Sequence, residues 1–345
     1  MNIHTPDIGA KLNLEQIKAL LEAPKNIWIT THDRPDGDAM GSSLGLFHFL
    51  RQKGHHVKVV VPTEYPNFLS FLPSNDEVIT YENQKTLGLQ LLDDADIVFV
   101  LDFSALHRNE MGEQIADSTA TKIMIDHHLA PEDFSHYQVW DTKASSTAEL
   151  IYEFIEALGE TNLLNYEIAT CLYTGICADT GRFKYNLTSR THRITAELVA
   201  QNLNLDQIHR NLFENFSENR LRFIGYCLNR RLRVYEHHNA AMIYISSADT
   251  EQYRCRTGDT EGLVNYALGV VNVRFAILLK EHRNQKIIKI SFRSIGDFSV
   301  KDFAEKHFEG GGHKNASGGR SKLSLRDTIE KIERLLDEYQ DVLTA

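Results

Sequence analysis

Through the first half of the chain, short apolar runs alternate with longer segments of helical period. The runs NIWITT (26–31) and VKVVVP (57–62) flank DAMGSSLGLFHFLRQKG (38–54), whose pattern predicts an amphipathic helix that stops at Gly54. DIVFVLD (96–102) and KIMID (122–126) read as buried strands, each finishing in a carboxylate. SSTAELIYEFIEAL (145–158) opens on capping-type serines and continues as a helix, and NYEIATCLYTGICADTG (165–181) is a further apolar helix ending near a glycine. Such alternation predicts an α/β fold, a mostly parallel sheet with helices on both faces that binds ligands beyond the carboxyl ends of its strands.

Near residue 217 the pattern changes. SENRLRFIGYCLNRRL (217–232) reads as a polar-faced helix leaving the first lobe. The strand-like LRVYEHHNAAMIYIS and VRFAILLKEHRNQKIIKISFRS and the helical TEGLVNYALG and LRDTIEKIERLLDEYQ then predict a smaller α/β domain. Within it the turn EHRNQK predicts a hairpin that delivers Arg293 and Ser294 at its far end. The expected organisation is a catalytic domain over 1–216, a linker helix over 217–232 and a substrate domain over 233–345, with a cleft between the lobes.

Composition adds constraints. Among 345 residues, 42% are hydrophobic and 24% charged, which is ordinary for a globular chain. No apolar run approaches the roughly 20 residues that cross a bilayer. The start MNIHTPDIGAKLNLEQ lacks the features of a signal peptide, and Cys171, Cys177, Cys227 and Cys255 form no paired framework, so a cytoplasmic location is expected. The net charge of −10 argues against a protein that coats long nucleic acid, yet it is unevenly spread: residues 1–220 carry −14 and residues 221–345 carry +4. An acidic half suits cations, and a mildly basic half suits the anion on which cations act.

The stretch TTHDRPDGDAMG (30–41) sharpens that reading by crowding a histidine and three acids at one strand end. His32, Asp36 and Asp38 follow NIWITT, Asp102 ends the second strand, Asp126, His127 and His128 end the third, and Asp179 follows an apolar helix. Each alone reads as a turn, cap or solvated residue. Recurring at successive strand ends, they are expected to converge on one sheet edge, where so many carboxylates require a positive partner. A mixed oxygen and nitrogen set without thiolates suits Mn²⁺ or Mg²⁺ better than structural zinc.

HDRPDGDAMGS, VLDFS, IDHH and ADTGRF, followed by FEGGGHKNASGG near the C-terminus, resemble the DHH/DHHA1 phosphoesterases in content and order. Length, the SFRS before GGGH and the lack of further domains resemble the bacterial nano-RNases (oligoribonucleases) that also dephosphorylate 3′-phosphoadenosine 5′-phosphate, pAp. The resemblance implies two divalent cations, expected to be Mn²⁺, one held by His32, Asp36 and Asp102, the other by Asp38, Asp102, His127 and Asp179. It gives Asp126 the task of orienting histidine and puts His128 beside the scissile phosphate. Asp33 is outside the usual ligand set and reads as a solvated turn residue. Two cations about 3.5–4 Å apart neutralise a phosphodiester and activate water, so a hydroxide between them is expected to attack phosphorus in line. His128 would then support the developing charge or the leaving group.

In FEGGGHKNASGG, consecutive glycines permit positive φ and close backbone approach, which suits a phosphate cradle. The resemblance assigns Gly311, Gly312, His313 and Asn315 to substrate, and Arg293 and Ser294 join them as the predicted clamp on a second phosphate. Phe183 and Tyr185 in GRFKYN read as strand aromatics, core in the first instance and base-stacking in the second. Short oligonucleotides and phosphorylated nucleotides are the expected partners, without a membrane; a homodimer stays open. Two other functions are compatible with the residues: a cyclic or linear dinucleotide phosphodiesterase, and a non-catalytic nucleotide sensor.

Overall fold

The computed structural model describes residues 13–256, 258–282 and 285–344, so most of the N-terminal segment read above and Arg283 and Asn284 of the predicted turn EHRNQK lie outside the described residues. The chain divides into two compact units, 1–215 and 216–345.

The first unit is built on six parallel strands: β1 (Asn26–Thr30), β2 (His56–Val61), β3 (Ile79–Thr80), β4 (Ile97–Leu101), β5 (Thr121–Asp126) and β6 (Tyr137–Trp140). Their order across the sheet is β3-β2-β1-β4-β5-β6, so the direction of winding reverses between β1 and β4. Alternate side chains feed two cores. Ile27, Ile29, Val59, Phe99 and Ile123 face one, while Trp28, Val60, Val98, Val100 and Met124 face the other. Both faces are therefore covered, as expected for a parallel sheet whose strands are apolar throughout.

The Gly37–Gln52 helix departs from its predicted amphipathic character, because nearly every residue from Gly37 to Leu50 is buried. It packs against the Tyr166–Asp179 helix along a row of small residues. A Cβ on Gly41 would lie 2.5 Å from the Cys171 carbonyl oxygen and 2.8 Å from the Gly175 nitrogen, and one on Gly45 would lie 2.4 Å from Leu172. Glycine spacing at every fourth position thus marks helix contact, which brings Asp38 and Asp179, at the helix ends, toward one place. Gly41→Ala is expected to destabilise the protein by about 1–3 kcal/mol, since backbone and not a flexible side chain would have to give way. Thermal unfolding checks it, and unchanged Tm would contradict the close-contact assignment.

The second unit contains β7 (Leu232–Tyr235), β8 (Ala240–Ile245), β9 (Phe275–His282), β10 (Ile287–Ser294), β11 (Gly311–His313) and β12 (Ala316–Ser321), ordered β11-β12-β10-β9-β8-β7. All neighbours are antiparallel except β8 and β9. Ahead of β7, the Glu218–Tyr226 helix continues into a π turn, Cys227–Arg231. That turn carries Arg231, which donates to both oxygens of the buried Asp249 at 2.6 and 3.0 Å, while the Tyr226 hydroxyl adds a bond of 2.7 Å. Burial opposes the Asp249 charge, yet Arg231 and Tyr226 outweigh it and hold the carboxyl down at about 2. Because the folded value lies below the unfolded one, this stabilisation is present above pH 4 and is lost as pH falls toward 2. Asp249→Asn is expected to cost roughly 1–2 kcal/mol at neutral pH and to flatten the acid limb of the stability curve. Denaturant unfolding between pH 2 and 7 tests it; parallel curves would refute the coupling.

Candidate metal centre

Asp36 caps the Gly37–Gln52 helix: its Oδ1 accepts the Asp38 and Ala39 N–H groups at 3.0 and 3.1 Å, leaving Oδ2 for another partner. The cap reading of Asp36 thus holds and is compatible with the ligand reading. Asp102 follows β4 with φ +64, a left-handed conformation uncommon outside glycine, asparagine and aspartate, and its side chain is buried. β1 and β4 are adjacent at the switch point, so His32 and Asp102 meet there, His32 Nε2 lying 3.4 Å from Asp102 Oδ2.

β5 brings Asp126, His127 and His128 to the same edge. His127 Nε2 lies 3.7 Å from Asp102 Oδ1, 3.6 Å from Asp179 Oδ2 and 4.0 Å from Asp38 Oδ2. Among the described residues three groups satisfy the spacing a cation needs, each with one ligand atom per residue within 4.8 Å of the others: His32, Asp36 and Asp102; Asp38, His127 and Asp179; Asp102, His127 and His128. All six residues that the sequence suggested as ligands are in these groups. The imidazoles are oriented for the task. His32 Nδ1 lies 2.8 Å from the Asp33 carbonyl and His127 Nδ1 lies 3.4 Å from the Ala144 carbonyl; with Nδ1 as donor, each Nε2 faces the acids and would offer its lone pair to a cation bound there.

His128 differs. Its Nδ1 lies 2.7 Å from Asp126 Oδ1, its main-chain N–H donates to Asp126 Oδ2 at 3.1 Å, and its carbonyl accepts the Trp140 indole N–H at 2.6 Å. Asp126 is fully buried, so the ring is held by a carboxylate that solvent does not reach. Burial pushes the His128 pKa down, but Asp126 and Asp102 reverse the balance and raise it.

The electrostatics are those of buried acids crowded together. Asp38 is driven well above the carboxylate range by burial and by Asp102, Asp179 and Asp36. Burial, with Asp102 and Asp36, lifts Asp179 to about 7 against the opposing pull of His127. Asp179 also ends its helix, where the dipole is negative. Burial disfavours charge on both His32 and Asp102, yet each overcomes it through the other: His32 rises to about 9 and Asp102 falls below the usual range. Carboxylate and imidazole donors with these perturbations fit a divalent cation.

Several contacts have no counterpart in the sequence reading. Thr147 N–H and Ala148 N–H donate to Asp38 at 2.6 and 2.9 Å, and the Thr147 hydroxyl donates to Asp102 Oδ1 at 2.9 Å. The signal was present in SST, which reads as a helix start and also exposes two N–H groups to an acid. Asp33 is not merely solvated, for its Oδ1 accepts the Glu110 N–H at 2.9 Å and ties down a neighbouring loop. Phe183 and Tyr185 lie in turns and not in a strand; Phe183 packs beside Tyr173 at 5.7 Å, whereas Tyr185 is exposed.

In the second unit, β10 pairs Arg293 with Ala316 and β11 pairs His313 with the same alanine. Arg293 and His313 thus stand in one row on one sheet face with only a methyl between them, about 10 Å apart at two strand spacings. Gly310 and Gly312 serve the hairpin itself, since a Cβ would meet the Gly318 carbonyl at 2.2 Å and the Ala316 carbonyl at 2.7 Å. Gly311 alone faces open space, with only Glu305 Oε1 within 3.7 Å. Ser294 corrects its predicted role: strand alternation puts it on the buried face, where its hydroxyl donates to the Phe298 carbonyl. Asn315 spends both amide hydrogens on Ser294 Oγ and the Gly296 carbonyl, pinning the turn.

The fold and its acidic switch point define an α/β protein with carboxylate and imidazole groups that could hold a metal ion. The DHH family N-terminal domain matches residues 26–176, and the DHHA1 domain matches residues 239–345. The chain is 31% identical to the bifunctional oligoribonuclease and PAP phosphatase NrnA of Thermus thermophilus, over 99% of this chain and 98% of that protein. It is 31% identical to the Bacillus subtilis protein of the same name, over 83% and 86% of the two chains. A solved exopolyphosphatase-related protein from Bacteroides fragilis superposes with TM-score 0.93 at 37% identity, covering 96% of this chain and 97% of that one. The chain belongs to the DHH/DHHA1 family. Among the described residues no helix is long and apolar enough to cross a membrane.

Proposed function

We propose that this protein is a divalent-metal phosphoesterase that hydrolyses very short oligoribonucleotides and removes a phosphate from pAp. The observation that carries the reading is the pair of ligand groups at the β1/β4 switch point, His32, Asp36, Asp102 and Asp38, His127, Asp179. The near full-length likeness to proteins named oligoribonuclease and PAP phosphatase supports the substrate class. His32, Asp36 and Asp102 would hold one cation and Asp38, Asp102, His127 and Asp179 the other, Asp102 serving both. Bound there, two Mn²⁺ or Mg²⁺ ions supply charge neutralisation for the phosphodiester and a lowered water pKa. His128, locked by Asp126, presents its Nε2 to the reacting phosphate and supports charge on the departing oxygen. The row of Arg293, Ala316 and His313, with the open side of Gly311, grips a terminal phosphate and favours substrates of a few nucleotides.

Hydrolysis of a diribonucleotide, pAp, cyclic dinucleotides and pyrophosphate, each with Mn²⁺ and with EDTA, tests this reading. Diribonucleotide and pAp cleavage that EDTA abolishes is expected; preference for pyrophosphate or a cyclic dinucleotide would overturn the substrate assignment. Arg293→Ala is expected to lower kcat/KM for the dinucleotide about 10- to 100-fold, the size of a lost charge-assisted contact, and to leave a small synthetic phosphodiester within about threefold. Equal losses on both substrates would remove Arg293 from the phosphate grip.

A further inference from the structure

Residues 141–148 reach three members of the metal centre: the Ala144 carbonyl faces His127, the Thr147 and Ala148 main-chain N–H groups hold Asp38, and the Thr147 side-chain hydroxyl holds Asp102. A loop that sets three ligands must itself be held. Both of its ends are carried by Arg190, from the Ser189–Val199 helix. Arg190 Nη1 donates to Asp141 Oδ2 at 3.0 Å and its Nε donates to Glu149 Oε1 at 2.7 Å, with Glu153 Oε1 at 3.1 Å. The acids pass this anchoring inward. Asp141 Oδ1 accepts the Lys143 N–H at 2.8 Å and its carbonyl accepts the Ala144 N–H at 3.1 Å, while Glu149 Oε2 accepts the Ser145 hydroxyl.

Glu149 is fully buried and Glu153 is 3% exposed, so this cluster stands apart from the surface ion pairs of the same helix. Placing one guanidinium among three carboxylates is a poor device for stability alone, because desolvation opposes it. Burial also raises Glu153 to about 7 in spite of Arg190, whereas Asp141 and Glu149 each accept a direct hydrogen bond from the guanidinium.

We propose that Arg190 is a positioning residue for the metal centre: by clamping Asp141 and Glu149 it fixes residues 141–148, and through them the placement of His127, Asp38 and Asp102. The inference rests on the two-cation reading above. Arg190 touches none of the reacting groups and acts on cation affinity. Loss of an interaction that orients a ligand typically weakens metal binding 10- to 100-fold. Lysine would restore only part of this, as one ammonium cannot bridge two acids as the guanidinium fork does.

The test is Mn²⁺ affinity of the full chain, read by electron paramagnetic resonance and calorimetry, for wild type, Arg190→Met, Arg190→Lys and Asp141→Asn, with Tm in EDTA recorded for each. Arg193→Met is the control, since Arg193 makes a comparable but exposed pair with Glu156, at 2.8 and 3.1 Å, one turn along the helix. Expected are a 10- to 100-fold weaker Kd for Arg190→Met, a 3- to 10-fold loss for Arg190→Lys and Asp141→Asn, and none for Arg193→Met. Adding Thr147→Val to Arg190→Met should cost less than the sum of the two changes, since both act through one segment. Should Arg190→Met fail to fold, Arg190→Lys and Asp141→Asn carry the test. Wild-type binding with unaltered Kd in the folded Arg190 and Asp141 variants overturns the positioning role alone. Failure of the wild type to bind Mn²⁺ overturns the two-cation reading and this inference together.

Discussion

Asp102→Ala is expected to lower turnover of a diribonucleotide by about 10³-fold or more at saturating Mn²⁺, with circular dichroism and the fold unchanged. Asp102 is the one carboxylate present in two of the ligand groups, with Oδ2 toward His32 and Oδ1 toward His127 and the Thr147 hydroxyl. On the proposed two-cation reading, its removal would weaken both cation positions at once. Charge stabilisation by a metal is worth several kcal/mol, and each 1.4 kcal/mol is a factor of ten in rate. The fold should survive, because relief of a buried charge offsets the roughly 1 kcal/mol more that the left-handed backbone costs alanine than aspartate. Near-normal turnover with Mn²⁺ in excess would refute the shared-ligand role.

Asp126→Asn is expected to lower kcat about 10²-fold while Mn²⁺ affinity stays within a few-fold of wild type. Asp126 belongs to none of the ligand groups, and both of its oxygens are directed at His128, one at the ring and one at the main-chain N–H. An amide supplies only one acceptor and would turn N–H toward N–H at the other contact. The ring then loses both its orientation and the partner that favours its cationic form, a combination within the 10²- to 10⁴-fold span of general acid–base contributions. Parallel measurements of kcat and metal Kd decide the matter. A fall in affinity as large as the fall in kcat would make Asp126 a guardian of the cations instead of the histidine.

Local pattern was sufficient to bring the candidate ligands of the first unit together. The apolar runs ending in Asp102 and Asp126 predicted parallel strands, and strand polarity alone then sent His32, Asp36, Asp102, His127 and His128 to one edge. This works because a parallel sheet puts every strand's carboxyl end on the same side, so the address of a residue follows from its place in its own strand. What sequence cannot convey is contact between elements distant along the chain. The Gly37–Gln52 helix reads as amphipathic, yet the Tyr166–Asp179 helix covers its other side, because Gly41 leaves room for backbone against backbone and Gly45 for the Leu172 side chain.

The same distinction separates the two halves of the site. Residue types, their order and the strand ends were written in the chain, since donor chemistry and hydrophobic period are local properties. The clamp of Arg190 on Asp141 and Glu149, the grip of Thr147 on Asp102, and the retreat of Ser294 to the buried sheet face were settled only on folding. Hydrogen bonds bridging tens of residues depend on which surfaces meet, and strand register, to which side-chain facing is tied, is a property of the paired strands and of neither alone.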